Sequence, residues 1–378
     1  MANHWQTIYP MRFLLTIYTN RFKLPKGSYT NGFPFYFLAM KFKIFLFFIG
    51  AIIAGCQKEN TEEVLDPYVL RRPDYFPEIT YPISGNQISK SGFELGKKLF
   101  NDPILSLDNS IACSNCHVKA VAFTDPQHNP SVGIFEREGS RNSPMIANMA
   151  FQPEFLWDGG ITHLDFVPIF AIENEKEMAE TAEGVVRKLN ASPIYPTLFK
   201  KTFPSLDTIT APYMLKALSQ YMLLLVSDQS KYDQFLRGEV NLSSEETAGL
   251  TLFKAKCASC HSGALFTNYA FLDNGLDFTH KDIGRALISA RVEDTGKFKV
   301  PSLRNILLTS PYMHNGRFKT INEVIDHYRF HVKDKPNLDV RLKTDGKPGL
   351  PMSDQEVENL VSFFKTLTDY KFISNPIF

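Results

Sequence analysis

Apolar positions along this 378-residue chain recur mainly at helical spacing, and few stretches alternate as strands do. Gly96-Lys97-Lys98-Leu99-Phe100 and Gly249-Leu250-Thr251-Leu252-Phe253 are similar stretches of that kind, a weak internal repeat. Ser243 with Glu246, and Ser353 with Glu356, set a hydroxyl three residues ahead of a carboxylate. In such a capping box each side chain serves a backbone N–H that the first helical turn leaves unpaired. The first box opens the helix of the second repeat, and the other opens a final helix carrying Leu360, Val361, Phe364 and Leu367. Residues 178–189 and 213–226 are also predicted as helices, the latter apolar enough to be buried. With strand signals sparse, the expected class is all-α.

The N-terminal pattern is different. Lys41 and Lys43 precede an apolar run from Ile44 to Ala54, followed by Gly55 and Cys56. A charged start, a short apolar stretch and small residues before a cleavage point form a signal peptide, here residues 40–56. The run is shorter than the ~20 apolar residues a membrane-crossing helix needs. Ile53-Ala54-Gly55-Cys56 resembles the lipobox of bacterial lipoproteins, so Cys56 is the expected lipidation site; a plain buried thiol is the alternative. The expected location is the periplasmic side of a bacterial membrane, with the body held by acyl chains that each contribute about 0.8 kcal/mol per buried CH₂. Residues 1–39, basic and without Asp or Glu, read as an upstream extension outside the fold. Pro67, Pro73, Pro77 and Pro82 mark 57–87 as a tether.

The other four of the five cysteines fall in Cys113-Ser114-Asn115-Cys116-His117 and Cys257-Ala258-Ser259-Cys260-His261. In this spacing two thiols add across the vinyl groups of one porphyrin, and the adjoining histidine binds its iron. Two motifs imply two haem c groups on Cys113, Cys116, Cys257 and Cys260, with His117 and His261 as iron ligands. A four-thiolate zinc site is the competing reading, but it gives no reason for a histidine at the same place twice. Each motif follows one of the repeated helices, which divides the body into 88–240 and 241–378. The ordering of an early helix, the haem motif and a closing helix resembles the cytochrome c arrangement, so two cytochrome c-like domains are expected.

Without the first 56 residues the chain has 35 basic and 40 acidic side chains, a net of −5. Nothing in this balance calls for nucleic acid. A mildly acidic surface suits steering of a small basic redox partner.

Four further segments carry a family resemblance: Ser140-Arg141-Asn142-Ser143-Pro144, Phe155-Leu156-Trp157-Asp158-Gly159, Pro301-Ser302-Leu303-Arg304-Asn305 and Pro311-Tyr312-Met313-His314-Asn315-Gly316. Together they resemble the bacterial dihaem cytochrome c peroxidase and MauG family, from about Gly96 to Leu367. The resemblance implies that peroxide reacts at the first haem while the second collects electrons from a small cytochrome or cupredoxin. It implies Glu177, twenty residues after Trp157, as the acid/base group, and Trp157 as the electron relay. From composition alone Glu177 reads as a solvated carboxylate among Glu173, Glu175 and Glu180, and Trp157 as core. The resemblance also implies a calcium ion held by Asn142, Thr309 and Pro311, through the oxygen donors that cation prefers.

The chain departs from the peroxidase pattern at three places. Where many such peroxidases carry a distal histidine there is Ile134, beside Phe135, so the first haem is expected to be open, with His128 the nearest threat. A usual glutamine is Val167. The methionine that closes the second haem is replaced by Tyr328, as in MauG-type proteins, with Met313 or His327 as alternative ligands. A peroxidase reducing hydrogen peroxide is the leading expectation. A MauG-like oxidase that modifies a protein partner and a plain electron-transfer cytochrome are the other two.

Overall fold

A computed structural model describes residues 66–378, and the signal segment and Cys56 lie outside them. Helix α1, Lys90–Phe100, begins where the Ser89 hydroxyl accepts the Gly92 N–H at 3.0 Å. Its buried face carries Phe93, Leu95, Leu99 and Phe100. That face meets a later helix, Ala211–Leu223, where the Tyr221 ring is tilted against those of Phe93 and Phe100 at 5.3 and 5.1 Å. A Cβ at Gly96 would collide with the Ala217 carbonyl, so glycine there permits backbone-to-backbone approach.

The second repeat uses the same device. Helix Ser244–Lys256 packs on helix Asp354–Lys365, and a Cβ at Gly249 would collide with the Asn359 carbonyl. Phe253 and Phe363 sit 5.2 Å apart in this contact. The glycine shared by the two repeats therefore marks the closest approach of each leading helix to its partner. Both predicted capping boxes are formed, at Ser243 with Glu246 and at Ser353 with Glu356.

In chain order the longer helical elements are α1, α2 (Cys113–Cys116), α3 (Val167–Glu173), α4 (Ala182–Ala191), α5 (Tyr195–Thr202), α6 (Ala211–Leu223), α7 (Lys231–Leu236) and α8 (Ser244–Lys256). They continue with α9 (Ala286–Ser289), α10 (Ile321–Asp326), α11 (Asp354–Lys365) and α12 (Tyr370–Ser374). Strands among the described residues are two-residue ladders: β1 (Phe271–Leu272) with β2 (Phe298–Lys299), and β3 (Lys343–Thr344) with β4 (Lys347–Pro348), both antiparallel. The chain is thus helix-rich. Its buried apolar residues form one large cluster around α1 and α6 and a second around α8 and α11.

Several boundaries differ from the sequence expectation. The helix expected over 178–189 begins at Ala182, because the Thr181 hydroxyl caps Gly184 and Ala179 takes a left-handed φ of 50° that a helix cannot contain. The helix expected over 213–226 runs from Ala211 to Leu223, with Pro212 in its first turn. It stops as the Leu225 carbonyl turns aside to accept the Asn148 N–H at 2.8 Å. Leu367 falls just past the end of α11 but is 1% exposed. Over its described part, the segment read as a tether is packed: Phe76 and Tyr81 are buried in the first cluster, and Thr80 N–H bonds the Ala150 carbonyl at 2.9 Å. Proline spacing tracks irregular backbone, which can still be anchored by its apolar side chains. No helix among the described residues is long and apolar enough to cross a membrane.

Candidate active site

The first CxxCH motif is a single helical turn, α2, fastened by the Asn115 carboxamide oxygen accepting the Ala112 N–H at 2.8 Å. That turn presents Cys113 and Cys116 from one short rigid element and delivers His117 at its end. His117 Nδ1 lies 2.9 Å from the Phe123 carbonyl. The second motif is built alike: His261 N–H bonds the Cys257 carbonyl at 2.9 Å, and His261 Nδ1 lies 3.1 Å from the carbonyls of Phe266 and Pro301. A carbonyl acceptor requires Nδ1 to carry the proton, leaving the Nε2 lone pair for a ligand. Burial holds both imidazoles below their ordinary pKa, hence neutral.

None of these four cysteines is in a disulfide. Burial pushes the thiols of Cys113 and Cys257 up to about 12 and that of Cys116 to about 11. Zinc needs thiolates, and four converging ligands. Cys113 and Cys257 pack against different apolar clusters, and the described residues contain no group of three or more His, Cys, Asp or Glu able to hold a metal. The four-thiolate zinc reading thus finds no converged ligand set among the described residues. Paired thiols, a neutral imidazole with a free Nε2 and an apolar surround fit a covalently attached haem at each motif.

A cavity of about 980 Å³ opens beside the first motif, at the top of the usual range for ligand pockets. Cys113, Cys116, His117, Trp157 and Glu177 all line it, as do Asn142, Thr309 and Pro311. Glu177 sits in a turn between α3 and α4, where its Oε1 accepts from Asn174 Nδ2 at 2.8 Å. Burial raises its carboxyl to about 7, and that one hydrogen bond only partly offsets the shift. It faces the thiols of Cys113 and Cys116, both of which feel its charge. The solvated-glutamate alternative is thus overturned for this side chain.

Residues 133 and 134 press on the Glu177 backbone, Gly133 lining the cavity and the Ile134 N–H bonded to the Glu177 carbonyl. A Cβ at Gly133 would run into the carbonyls of Lys176 and Glu177. Ile134 is fully buried, whereas Phe135 is 58% exposed with a left-handed φ of 55°. His128 is turned to Asp125, its Nδ1 3.3 Å from Oδ2, and is not among the cavity's lining residues. Val167 and Pro168 at the start of α3 form an apolar part of the lining.

Trp157 is held from both sides. Its indole N–H donates to the Asn142 carbonyl at 2.8 Å, and its own carbonyl accepts the Lys299 N–H at 2.8 Å. Next to it, Arg141 joins Asp158 and Asp282, both at 2.6 Å, a charge network that no local sequence pattern announces. Asn142, 7% exposed, has its side-chain amide 2.5 Å from the Pro311 carbonyl and 3.4 Å from that of Met313. Thr309 bonds the Ile306 carbonyl at 3.2 Å. The three residues expected to hold calcium are therefore gathered at one wall, and carboxamide and carbonyl oxygens are the donors that cation takes.

Tyr328 lies in a π turn, His327–His331, that follows α10. Single π turns inside helices recur at functional sites because they re-aim side chains. Burial raises the phenol's pKa; the Asn274 amide lowers it, and the thiols of Cys257 and Cys260 act on it as close charges. The two alternatives lie close by and also meet Asn274. His327 Nε2 lies 3.1 Å from the Asn274 carbonyl, and Met313, whose sulfur accepts from Asn274 Nδ2 at 3.4 Å, lines the first cavity. Asn274 thus joins all three candidates, a role invisible in the sequence because nothing local to 274 marks it.

Comparison with known proteins agrees with this architecture. The family profile described as di-haem cytochrome c peroxidase matches residues 90–241. The methylamine utilization protein MauG of Methylorubrum extorquens is 32% identical over 302 residues, spanning 79% of this chain and 82% of that protein. The cytochrome c551 peroxidase of Nitrosomonas europaea is 33% identical over 282 residues, spanning 73% and 79%. A crystal structure of a MauG-like protein associated with microbial copper homeostasis superposes with a TM-score of 0.74 at 29% identity, over 82% of this chain and 98% of the other. With two haem-attachment motifs on a helix-rich body and relatives of this identity and coverage, the chain belongs to the di-haem cytochrome c peroxidase and MauG family.

Proposed function

We propose that this protein reduces hydrogen peroxide to water in the cavity beside His117, with electrons supplied by a small cytochrome or cupredoxin through the His261 side. The observation that carries this reading is Glu177: a carboxyl raised to about 7, aimed into the cavity that Cys113, Cys116 and His117 line. Reduction of H₂O₂ to two waters consumes two electrons and two protons. A carboxyl titrating near neutrality can take the proton from one peroxide oxygen and return it to the departing one. The haems supply the iron that binds peroxide and the redox equivalents that cleave it. Ile134 and Val167 offer no iron ligand or hydrogen-bond donor where they stand, Ile134 buried beside the Glu177 turn and Val167 in the cavity lining.

Trp157, at the cavity wall and fixed by two hydrogen bonds, is proposed to pass electrons between the sites. Tyr328 is proposed as the second ligand at the His261 site. Asn142, Thr309 and Pro311 are proposed to hold a calcium ion that pins this wall. One haem motif in each part is what supports two haem domains, 88–240 and 241–378, and residues 40–56 are proposed to direct the body outside the cytoplasm and to leave it lipid-anchored at Cys56.

Steady-state peroxide reduction with a reduced small cytochrome as donor tests the reading. Rapid turnover is expected. One observation favours a second reading, a MauG-like oxidation of a protein partner: the tyrosine beside Cys257 and Cys260, whose oxygen favours oxidised iron. Absent turnover alongside long-lived oxidising equivalents would support that activity instead.

A further inference from the structure

Lys299 is a partly buried cation that has no counter-ion among the described residues. It ends β2 and lines the cavity that His117 and Glu177 share, and its ammonium donates to the Glu154 carbonyl at 2.7 Å and to Gln152 Oε1 at 3.4 Å. Those are neutral acceptors. The nearest carboxylates are already engaged, Glu154 by Arg285 at 3.0 Å and Asp158 by Arg141 at 2.6 Å. Lys299 has no ion pair among the described residues, while burial lowers its pKa to about 8. A buried ammonium in this position is costly unless an anion joins it.

The backbone keeps Lys299 where it is. Its N–H is bonded to the Trp157 carbonyl, Lys299 pairs with Phe271 across β1 and β2, and the next residue, Val300, bonds the Ala270 carbonyl at 2.8 Å. The neighbouring ring of Phe298 is stacked on His314 at 3.7 Å. The ammonium is thus delivered to the cavity by a fixed strand. An anion is built into the cofactor whose attachment motif lines this cavity, because a haem carries two propionate carboxylates on the edge away from its thioether bonds.

We propose that Lys299 is the counter-ion of a propionate of the haem attached at Cys113 and Cys116. The inference rests on haem occupying that motif. It gives the second half of the chain a direct grip on a cofactor bound covalently by the first half. It also makes Lys299 a positioning residue that biases the redox equilibrium of the His117 haem. A cation beside the propionate favours the reduced, less positive iron, so its removal favours the ferric form.

The test uses the holoprotein and its Lys299→Met and Lys299→Arg variants. Mass spectrometry first establishes that two haems are attached. Absence of haem at Cys113 and Cys116 in the parent protein would remove the family reading itself, separately from this inference. Redox titration then follows each haem, with resonance Raman of the propionate bending bands. Lys299→Met is expected to move the ferric-to-ferrous ratio of the His117 haem roughly tenfold toward ferric at fixed potential and to shift its propionate bands. Lys299→Arg, which keeps the charge, is expected to restore both. An unchanged His117 haem in a Lys299→Met protein that retains both haems overturns the proposal. So does a shift confined to the His261 haem. If Lys299→Met does not accumulate, Lys299→Arg decides alone: parental titration and bands support the charge role, and methionine-like behaviour in a folded arginine variant overturns it.

Discussion

The backbone N–H of Ile134 donates to the carbonyl of Glu177 at 2.8 Å. This bond locks the segment facing the first motif onto the turn that carries the acid/base candidate. Gly133 makes the approach possible, since any side chain there would meet the carbonyls of Lys176 and Glu177. Gly133→Ala is expected to destabilise the protein by ~1–3 kcal/mol, the usual range for overpacking, and to reduce peroxide turnover more than folding. Denaturant melts alongside steady-state rates check this. With Ile134 in place of a ligand, the resting ferric protein is expected to show high-spin haem in its paramagnetic-resonance spectrum. A purely low-spin spectrum would refute the open first site.

Burial raises Glu177 to about 7 in the folded chain, from an ordinary value of 4.5. For an acid raised in this way, the folded state binds the extra proton between those two values. Stability is therefore expected to fall as pH rises from about 4.5 to about 7 and then to level off. Peroxide kcat/KM is expected to inflect near pH 7 as the carboxylate forms. Glu177→Gln should slow turnover by roughly 100-fold or more, in keeping with loss of a general acid/base, and should abolish both the inflection and that part of the stability slope. Unchanged turnover would take the role away from Glu177.

What the sequence disclosed is local. Both haem motifs need only five consecutive residues, and both capping boxes need only four, so they are visible without a fold. The glycines of the repeat were visible too, but their reason was not, because Gly96 meets Ala217 and Gly249 meets Asn359 only after the helices pack. Lys299 and Asn274 were missed on the same ground. Nothing beside them in the chain separates a cavity-lining lysine from a solvated one, or a turn asparagine from the hub that joins Met313 and His327. The start of α4 was misjudged because apolar spacing over 178–181 is equally served by the irregular turn that aims Glu177.

At the second site Tyr328 is the candidate near Cys257 and Cys260, and it shares its neighbour Asn274 with His327 and Met313. Tyr328→Phe is expected to change the optical spectrum of the His261 haem and to raise its reduction potential, since an anionic oxygen ligand favours ferric iron. Met313→Leu should leave that haem's spectrum unaltered. The opposite pattern would assign the ligand to Met313.

Arg304 and Asp233 form an ion pair with both side chains at most 1% exposed, through a bidentate contact of 2.9 and 2.7 Å. Arg304 also reaches the carbonyls of Ala264 and Ser227, tying the loop after the second motif to the chain ahead of α7. Burial alone would raise the Asp233 carboxyl, but its hydrogen bonds to Arg304 and the Arg304 charge prevail and hold it below the ordinary range. Its stabilisation is therefore complete above the unfolded value of 3.8 and is lost as pH falls through the lower folded value. Asp233→Asn leaves a guanidinium buried without its anion and is expected to cost ~3–5 kcal/mol at neutral pH, which denaturant melts would read directly. Replacing both partners with apolar residues, Asp233→Leu with Arg304→Met, is expected to cost less than the sum of the single changes, because no uncompensated charge remains inside. Additive losses would mean that the pair is not coupled and that Arg304 acts mainly through its carbonyl contacts.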